Sequence, residues 1–318
     1  MTDSFKLTPT IENVISELEI QRKKIVDAQL KGWLAIGVGV ILIFILFAYG
    51  LAIAALIVGS AAIIPGIVIL YRIKDDVSSY KYRFKEEIIG AALATMHQSI
   101  SFDHNLGISE AEFNNTQLFT HSPDRYHTED LITGKDEKTT FYFAEVHAEY
   151  KTETRTKNGT QTHWHNILKG IVFCADFNKN FSGITVVRPK DFSSSITAWF
   201  SKNIFSVGSS NLVKLESEYF NKNFVTYSSD QIEARYILTP SLMEKIAELN
   251  ERSAYCMSLS FVNSSVYMAF PLDHNYFEPP VFKTLLNPTL LDEDMNILKF
   301  MLLIIEELDL NTRIWTKQ

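Results

Sequence analysis

The stretch WLAIGVGVILIFILFAYGLAIAALIVGSAAIIPGIVILY (residues 33–71) contains no Asp, Glu, Lys, Arg or His. As one helix its 39 residues would be about 58 Å long, whereas the hydrocarbon core of a bilayer is about 30 Å thick. Two helices fit that core, and Tyr49-Gly50 is the natural break, since Gly permits the turn and Tyr suits an interface. The stretch therefore predicts a two-helix transmembrane hairpin at about 33–49 and 51–71, with Trp33 and Tyr71 in contact with the membrane interface.

Positive charge flanks the two predicted spans and is absent between them. The flanking cations are Arg22, Lys23, Lys24, Lys31, Arg72, Lys74, Lys81, Arg83 and Lys85. Because Lys and Arg are retained on the cytoplasmic side, this distribution predicts that both termini are cytoplasmic. A single span and a cleaved signal peptide are the alternatives, but the apolar region of a signal peptide is only about 7–15 residues long.

The remaining chain divides by composition into three further segments. Residues 1–32 are predicted to form a cytoplasmic amphipathic helix that starts at Thr8-Pro9. Residues 72–98 form a juxtamembrane helix, and residues 99–318 a cytoplasmic α+β domain of antiparallel β-hairpins packed with helices. The apolar stripes of residues 1–32 and 72–98 predict a short antiparallel stalk; alternatively, each helix packs separately on the soluble domain.

The first hairpin of the soluble domain is predicted to turn at Asn158-Gly159. In that register opposed residue numbers sum to 317, so Ala144 lies opposite Phe173 on an apolar face. Glu145 and His147 then lie on the other, charged face, as in a half-buried antiparallel sheet.

A second hairpin is predicted to turn at Asn263-Ser264, with Phe261 opposite Val266 on one face and Ser260 on the other. Removing the Ser260 hydroxyl should then have little effect on stability. Helix starts are predicted at Ser109, where Ser109 and Glu112 form a capping box, and at Asp230 and Thr239-Pro240. The C-terminal helix is predicted at about 291–309.

Composition excludes several classes of function. The net charge of −7 argues against a nucleic-acid partner, and the two cysteines are too few for a disulfide framework. His163-Trp164-His165 places two imidazoles on one face of a strand, but the predicted hairpin supplies no third ligand. An exposed strand end is therefore favoured over a zinc site. We expect no metal, no cofactor and no catalytic residue.

Charged residues crowd one helix start and give the candidate binding residues Asp230, Glu233 and Arg235, to which Glu145 of the first hairpin is added. Arg235 can act as an anion clamp in this arrangement. The alternative is a helix cap with an ion pair that fixes the helix against the sheet.

A strongly apolar stripe at helical spacing runs from residue 196 to residue 205 and includes Trp199 and Phe200. These two residues are candidates for contact with the membrane surface. Because the stripe carries only Lys202 as a cation, a helix covering the core of the domain itself is the favoured alternative.

Several segments carry a family resemblance. They are residues 141–145 (FYFAE), 169–173 (KGIVF), 175–179 (ADFNK), 215–224 (LESEYFNKNF), 227–230 (YSSD) and 234–243 (ARYILTPSLM). Through these segments the chain resembles, from about Tyr80 to Phe270, a bacterial membrane-anchored family known as domain of unknown function 3137. The resemblance implies an N-terminal anchor in the bacterial cytoplasmic (inner) membrane, a cytoplasmic α+β domain, and a setting beside other membrane-anchored proteins. It transfers no catalytic residue.

Two functional hypotheses follow. The first is a membrane-tethered cytoplasmic interaction or scaffold module whose partners are the bilayer and a protein, either another membrane-anchored chain or a second copy of this one. The second is an enzyme at the cytoplasmic membrane face that uses carboxylates and Arg235. A cleft that gathers Glu145, Asp230 and Arg235 would favour the enzyme.

Overall fold

The chain divides into two units. The computed structural model describes residues 7–97, 99–156, 159–177, 179–190, 212–252, 256–272, 274–308 and 310. Unit 1 comprises Met1–Ala92 and Phe277–Glu293, and unit 2 comprises Leu93–Tyr276 and Asp294–Gln318. A segment close to the C-terminus of the chain therefore belongs to the same unit as its first helices.

Two long antiparallel helices dominate unit 1. Helix α1 spans Pro9–Ala48 and helix α2 spans Ala52–Arg72. Thr8 caps α1 by accepting a hydrogen bond from the backbone N–H of Ile11, and Gly50 makes the turn between the helices with a φ of 75°. Both helices are long and apolar enough to cross a membrane. The predicted break is confirmed, and α1 continues through residue 32 without interruption.

Glycines bring α1 and α2 into close contact. A Cβ atom added to Gly39 would lie 2.5 Å from a side-chain carbon of Ile63 and 2.9 Å from the carbonyl oxygen of Gly59. Gly32, Gly59 and Gly66 have similarly short approaches to the opposite helix. Small residues of this kind let two helix backbones approach closely where lipid surrounds them.

Replacing Gly39 by Val is expected to weaken the pairing of α1 with α2 by about 1–3 kcal/mol, the usual cost of overpacking. Gly37 provides a matched control on the same helix, because a Cβ atom there would meet nothing within 4 Å. Thermal unfolding of the full chain in mild detergent, followed by circular dichroism, measures both variants. Equal losses in the two variants would show that the line of contact through Gly32, Gly39, Gly59 and Gly66, the glycine seam, does not hold the helices together.

Unit 1 continues with α3 (Lys74–Arg83), a π-helical segment (Phe84–Gly90) and α4 (Ala91–Met96), of which the last residues pass into unit 2. The N-terminal half of α1 packs along α3 and the π-helical segment. The buried apolar side chains of this packing include Ile11, Ile15, Leu18, Ile25, Tyr80, Phe84 and Ile88. The predicted antiparallel stalk is confirmed.

Among the described residues, unit 2 contains one sheet of nine strands, all paired antiparallel in the order β1-β2-β3-β4-β9-β8-β5-β7-β6. The strands are β1 (Ser101–Asp103), β2 (Arg125–Asp136), β3 (Thr139–Thr156), β4 (Gly159–Asp176), β5 (Thr185–Pro189), β6 (Leu212–Val213), β7 (Phe224–Ser228), β8 (Ser258–Val262) and β9 (Ser265–Pro271). The helices are α5 (Glu110–Asn115), α6 (Glu218–Asn223), α7 (Gln231–Ile237), α8 (Pro240–Arg252) and α9 (Asp292–Glu307). The predicted α+β fold with antiparallel hairpins and helices is confirmed.

The predicted register of the first hairpin is wrong. Ala144 pairs with Val172 instead of Phe173, and a β-bulge between Ala148 and Glu149 shifts the pairing once more toward the tip. The strands close at Thr156 and Gly159, and the predicted turn residue Asn158 lies outside the described residues. A shift of one residue exchanges the faces of a strand, so one partner in each predicted pair of the inner half, such as Phe173 opposite Ala144, was assigned to the wrong face.

The hairpin was predicted to have one buried and one solvated face. This prediction is wrong for its inner half, where both faces are covered. On one face Ala144 and Val146 join a core that includes Phe113 of α5. On the other face Phe143 is completely buried and Glu145 is only 8% exposed. Phe270 of β9 and Phe300 of α9 stack edge to face with ring centroids 5.4 Å apart, so the C-terminal helix packs against the sheet.

The second hairpin has the predicted register, with Phe261 paired to Val266 and Leu259 paired to Met268. Asn263 takes the left-handed conformation of the turn, with a φ of 57°. The face that carries Ser260 is also buried, and the Ser260 hydroxyl donates a hydrogen bond to the carbonyl oxygen of Thr116 at 2.6 Å. The prediction that removing this hydroxyl has little effect on stability is therefore replaced by the expectation of a measurable loss.

Candidate functional site

Glu145 is a buried carboxylate in the middle of β3. Its Oε1 accepts a hydrogen bond from the backbone N–H of Tyr276 at 2.6 Å. Its backbone carbonyl accepts one from the hydroxyl of Thr128 at 2.8 Å. The side chain thereby holds the chain segment that follows β9.

Two further carboxylates lie beside Glu145. Glu129 pairs with Glu145 across β2 and β3, and Asp130, only 1% exposed, sits in the adjoining bulge with a φ of 60°. One carboxylate oxygen from each residue lies within 4.8 Å of the others. Oxygen atoms so arranged are the ligand type preferred by Mg²⁺, Ca²⁺ and Mn²⁺, so these residues are where the described chain could hold such an ion.

The sequence signal for this acidic cluster is weak. The bulge between Glu129 and Ile132 breaks the alternation of β2, and that break turns Asp130 into the buried region. The adjacent acids Glu129 and Asp130 are visible in the sequence, yet only the pairing of β2 with β3 brings them beside Glu145.

Asp230 and Glu233 both bind backbone N–H groups. Asp230 caps α7, and its Oδ1 accepts hydrogen bonds from the N–H groups of Ile232 and Glu233 at 2.9 and 3.0 Å. The two carboxylate oxygens of Glu233 accept from Ser182 at 2.9 Å and Gly183 at 2.7 Å. The predicted cap is confirmed, and Glu233 anchors the turn that precedes β5.

Arg235 is exposed at the end of the same helix. Its guanidinium donates to the carbonyl oxygen of Gln231 at 3.0 Å and, at the limit of hydrogen bonding, to that of Lys214 at 3.5 Å. It also donates to the side-chain oxygen of Gln231 at 3.4 Å, so the guanidinium steadies α7 and the residue that follows β6.

The sheet keeps Glu145 apart from the residues around Asp230. Glu145 lies on β3 and Asp230 directly follows β7, and these strands are five positions apart in the sheet order. At about 4.8 Å per strand, that separation is about 24 Å along the sheet. The structure thus brings Asp230 and Glu233 together and leaves Glu145 at a different place.

His163 and His165 of the first hairpin lie toward its tip, whereas His147 pairs with Lys169 in its inner half. His163 pairs with Thr152, and His165 pairs with Tyr150. The His165 Nε2 is 2.8 Å from the Thr152 hydroxyl, and the Tyr150 ring stacks between His165 and His121, with centroid distances of 5.0 and 4.2 Å. The carboxylate cluster includes none of these imidazoles.

The two cysteines are poor nucleophiles at neutral pH. Burial raises the pKa of the Cys174 thiol to about 11, and burial likewise raises the pKa of Cys256 to about 11. A thiol reacts as the thiolate, so both remain protonated and unreactive under ordinary conditions.

The proposed membrane contacts can be located in part. Trp33 is 63% exposed on α1 and Tyr71 is 78% exposed on α2. Trp199 and Phe200 lie outside the described residues.

Comparison with known proteins bears on the family. Residues 166–310 match the family described as "Protein of unknown function (DUF3137)". The family resemblance is confirmed over that range. The match begins later in the chain than Tyr80, where the sequence resemblance was placed, and ends beyond Phe270.

No curated protein matches the chain. Among solved structures the chain is similar to the mycobacterial trehalose monomycolate transport factor A, TtfA, at 8% identity and a TM-score of 0.37. That similarity covers 72% of this chain and 94% of the other.

Proposed function

We propose that the chain is an interaction module tethered to the bacterial cytoplasmic membrane by α1 and α2, with both termini and the β-sheet unit in the cytoplasm. The observation that carries the proposal is the apolar surface of the helix pair. Only 11% of the most apolar stretch of the first long helix and 17% of that of the second is buried. The exposed side chains include Leu34, Phe44, Phe47, Ile53, Leu56 and Ile57. A lipid bilayer covers such a surface at no desolvation cost.

Charge and glycine support the same proposal. The flanking Lys and Arg residues begin where the apolar surface ends, at the end of the helix pair opposite the Gly50 turn. The positive-inside rule then places that end in the cytoplasm. The glycine seam allows the two helices to pair without polar side chains.

The interaction role rests on the outer half of the first hairpin, which we call the β-ribbon (residues 150–156 and 159–166). Within the described chain β2 pairs with β3 only as far as Glu149, and β9 pairs with β4 only from Gly170 onward. Beyond Lys151, whose backbone N–H donates to the Asp124 carboxylate at 2.8 Å, the edges of the β-ribbon therefore present backbone N–H and C=O groups to solvent. An open edge of this kind accepts a strand from another protein.

Reporter fusions test the topology. A reporter at Gln318 and an epitope inserted at Tyr49-Gly50 are expected on opposite sides of the membrane, since α1 and α2 each cross it once. The two signals are read in intact and permeabilised cells. If both sites report the same side, a single span or a re-entrant loop replaces the hairpin.

A photo-crosslinking residue tests the interaction role. Placed at Thr154 in the exposed β-ribbon, it is expected to give discrete adducts in intact cells, of the same size in independent preparations. Glu244, exposed on α8, serves as the control position. Adducts of equal yield at both positions would contradict a role for the β-ribbon.

An activity screen addresses the alternative, an enzyme at the membrane face. The variants Glu145→Gln, Asp230→Asn and Arg235→Lys keep side-chain size and remove or reposition one functional group. Because each group binds backbone, we expect changes in stability and none in turnover. A turnover by the full chain that one variant abolishes with folding intact would favour the enzyme.

A further inference from the structure

The β3 edge of the β-ribbon carries charges of both signs in a regular order. Residues 151–155 (KTETR) are all exposed, and the pairing of β2 with β3 ends at Glu149. Lys151, Glu153 and Arg155 alternate with two threonines. Because alternate residues of a strand share a face, the three charged side chains lie on one face of the β-ribbon and the threonines on the other.

The backbone groups that point out of this edge belong to the charged residues. In an antiparallel pair, residues that hydrogen-bond to the partner strand alternate with residues whose N–H and C=O groups point away from it. The N–H of Lys151 donates to the carboxylate of Asp124, just before β2, and therefore points away from β4. By the same alternation, the N–H and C=O groups of Glu153 and Arg155 also point out of the β3 edge.

The side-chain charges of these two residues are accessible to a second strand. Glu153 is 53% exposed, and its carboxylate is 3.5 Å from the exposed Lys151 ammonium, a type of pair that contributes little. Within the described residues no ion pair holds the exposed Arg155 guanidinium. A strand that places a cation opposite Glu153 and an anion opposite Arg155 is therefore attracted at both positions.

The β3 edge of a second copy of this chain meets both conditions. When two such edges pair antiparallel with Thr154 opposite Thr154, Glu153 of each copy lies opposite Arg155 of the other. The outward backbone groups of Glu153 and Arg155 then form hydrogen-bonded pairs on both sides of the symmetry axis. Threonine pairs and opposite-charge pairs both stabilise neighbouring strands. The contact is self-complementary, as in a closed symmetric dimer.

Other registers of the same two edges are disfavoured. Centring the pair on Glu153 places Glu153 opposite itself and Lys151 opposite Arg155, so the opposed charges repel. Centring on Arg155 brings two guanidinium groups together at the axis. Centring on Thr152 requires the N–H of Lys151, which already binds Asp124. A shift of one residue would place outward backbone groups opposite inward ones. Repulsion and attraction therefore select the same register.

We propose that two copies of this chain join through the β3 edges of their β-ribbons, in the register centred on Thr154, and form a continuous β4-β3-β3-β4 sheet. This inference rests on the proposed interaction role of the β-ribbon and names its partner. The shared edge is short, so the contact is weaker than a standard interface. Anchoring two chains in one membrane raises their effective concentration and favours such a contact.

Cysteine crosslinking at the symmetry axis tests the dimer. In a non-hydrogen-bonded antiparallel pair the Cα atoms are about 4.5 Å apart, within the range of a disulfide. Thr154→Cys in the full chain should therefore give a covalent dimer as the main product of mild oxidation, read on non-reducing gels.

Thr162→Cys on the exposed part of β4 is the matched control for this crosslink. Its two copies would lie three strand spacings apart, at least about 14 Å, so this variant should remain monomeric. The unaltered chain, with Cys174 buried and Cys256 partly buried, gives the background. A dimer yield at Thr154 no higher than at Thr162 would overturn the proposal.

Charge reversal tests the register. Glu153→Lys and Arg155→Glu each place like charges opposite one another at both pairs. Each variant should raise the dissociation constant of the dimer, measured by sedimentation of the full chain in detergent, about tenfold to a hundredfold. A mixture of the two variants should associate as a heterodimer, because each edge then supplies the charge that the other needs. A mixture that associates no better than either variant alone would contradict the register.

Glu244→Lys is the control for net charge, because it makes the same change as Glu153→Lys at an exposed position on α8. Its dimer should have the dissociation constant of the unaltered chain. An equal loss of association in Glu244→Lys and Glu153→Lys would mean that overall charge, and not the β3 edge, controls association, and would overturn the proposal.

Failure of this inference can be told apart from failure of the proposed function. If the photo-crosslinking residue at Thr154 captures other proteins while Thr154→Cys gives no disulfide dimer, the β-ribbon binds a different partner and the second-copy inference is wrong. If neither adducts nor dimers form, the interaction role of the β-ribbon fails, and this inference fails with it.

Discussion

Replacing Arg22 by Met is expected to lower the free energy of unfolding of unit 1 by about 3–5 kcal/mol, the cost of removing one partner of a buried ion pair. Arg22 is 8% exposed and Glu19 is 4% exposed. Two guanidinium nitrogens of Arg22 donate to the two Glu19 oxygens, both at 2.8 Å, and a third donates to the carbonyl oxygen of Val281 at 2.8 Å. Without Arg22, the Glu19 carboxylate remains buried without its cationic hydrogen-bond partner.

Lys23 is the matched control, because its ammonium is 3.8 Å from the same carboxylate but its side chain is 67% exposed. Lys23→Met should change stability by less than about 1 kcal/mol, as exposed pairs do. The double variant Glu19→Leu/Arg22→Met should recover much of the loss, since no buried charge is left. Chemical unfolding of the full chain in detergent measures all three, and equal losses from Arg22→Met and Lys23→Met would contradict the buried pair.

The same pair gives a defined pH dependence. Hydrogen bonds from Arg22, with one from the Leu285 N–H, lower the pKa of Glu19 from 4.5 to about 2. A depressed carboxyl pKa contributes stability that is complete above the unfolded value and is lost as pH falls through the folded one. The stability difference between the unaltered chain and Glu19→Gln should therefore shrink between pH 4.5 and about 2. A difference that stays constant over this window would mean that Glu19 is not ionised in the folded chain.

Replacing Phe261 by Ala is expected to destabilise unit 2 by about 3–5 kcal/mol, as for other buried Phe side chains. Phe261 is fully buried, and the rings of Phe177 and Phe181 meet it edge-on with centroids 5.3 and 5.8 Å away. Ile232→Ala is the control, because that side chain is 82% exposed. The shift in the unfolding midpoint measures both, and similar shifts would mean that Phe261 is not part of a packed core.

The neighbouring Ser260 gives a sharper test of the same hairpin. Ser260→Ala leaves the Thr116 carbonyl oxygen buried without this donor, so a loss of about 1–3 kcal/mol is expected. A neutral result would show that the second face of the hairpin is open to solvent.

The sequence predicted the helical part of the fold well because its signals are local. The uncharged stretch, the glycine at the turn and the caps at Thr8, Ser109 and Asp230 each depend on a few adjacent residues. The register of the first hairpin failed because its strands close at Thr156 and Gly159, two residues away from the predicted register, and the bulge after Ala148, which has no local signature, restores only one of the two. One extra residue there changes which side chains share a face.

The candidate site was harder to predict because its residues meet only through strand pairing. Glu145 was placed on a solvated face, and the structure buries it beside Glu129 and Asp130 because that face of the inner hairpin is covered as well. Glu233 was grouped with Asp230 and Arg235 at one helix start, yet its carboxylate binds two N–H groups about fifty residues earlier in the chain. Because nearly every residue carries a backbone N–H group, the sequence does not indicate which of them a carboxylate will bind.

The contacts between α1 and the segment Phe277–Glu293 impose an order on biosynthesis. Glu19 binds the N–H of Leu285, 266 residues later, so the ribosome must complete most of the chain before this carboxylate gains that donor. At about 5–20 residues per second, the delay is on the order of ten to fifty seconds. During that interval the apolar helices are already exposed, so their insertion into a membrane can precede the closure of unit 1. If α1 and α2 span the membrane as proposed, a nascent chain arrested before Leu285 should carry an inserted hairpin whose stalk still lacks the segment Phe277–Glu293.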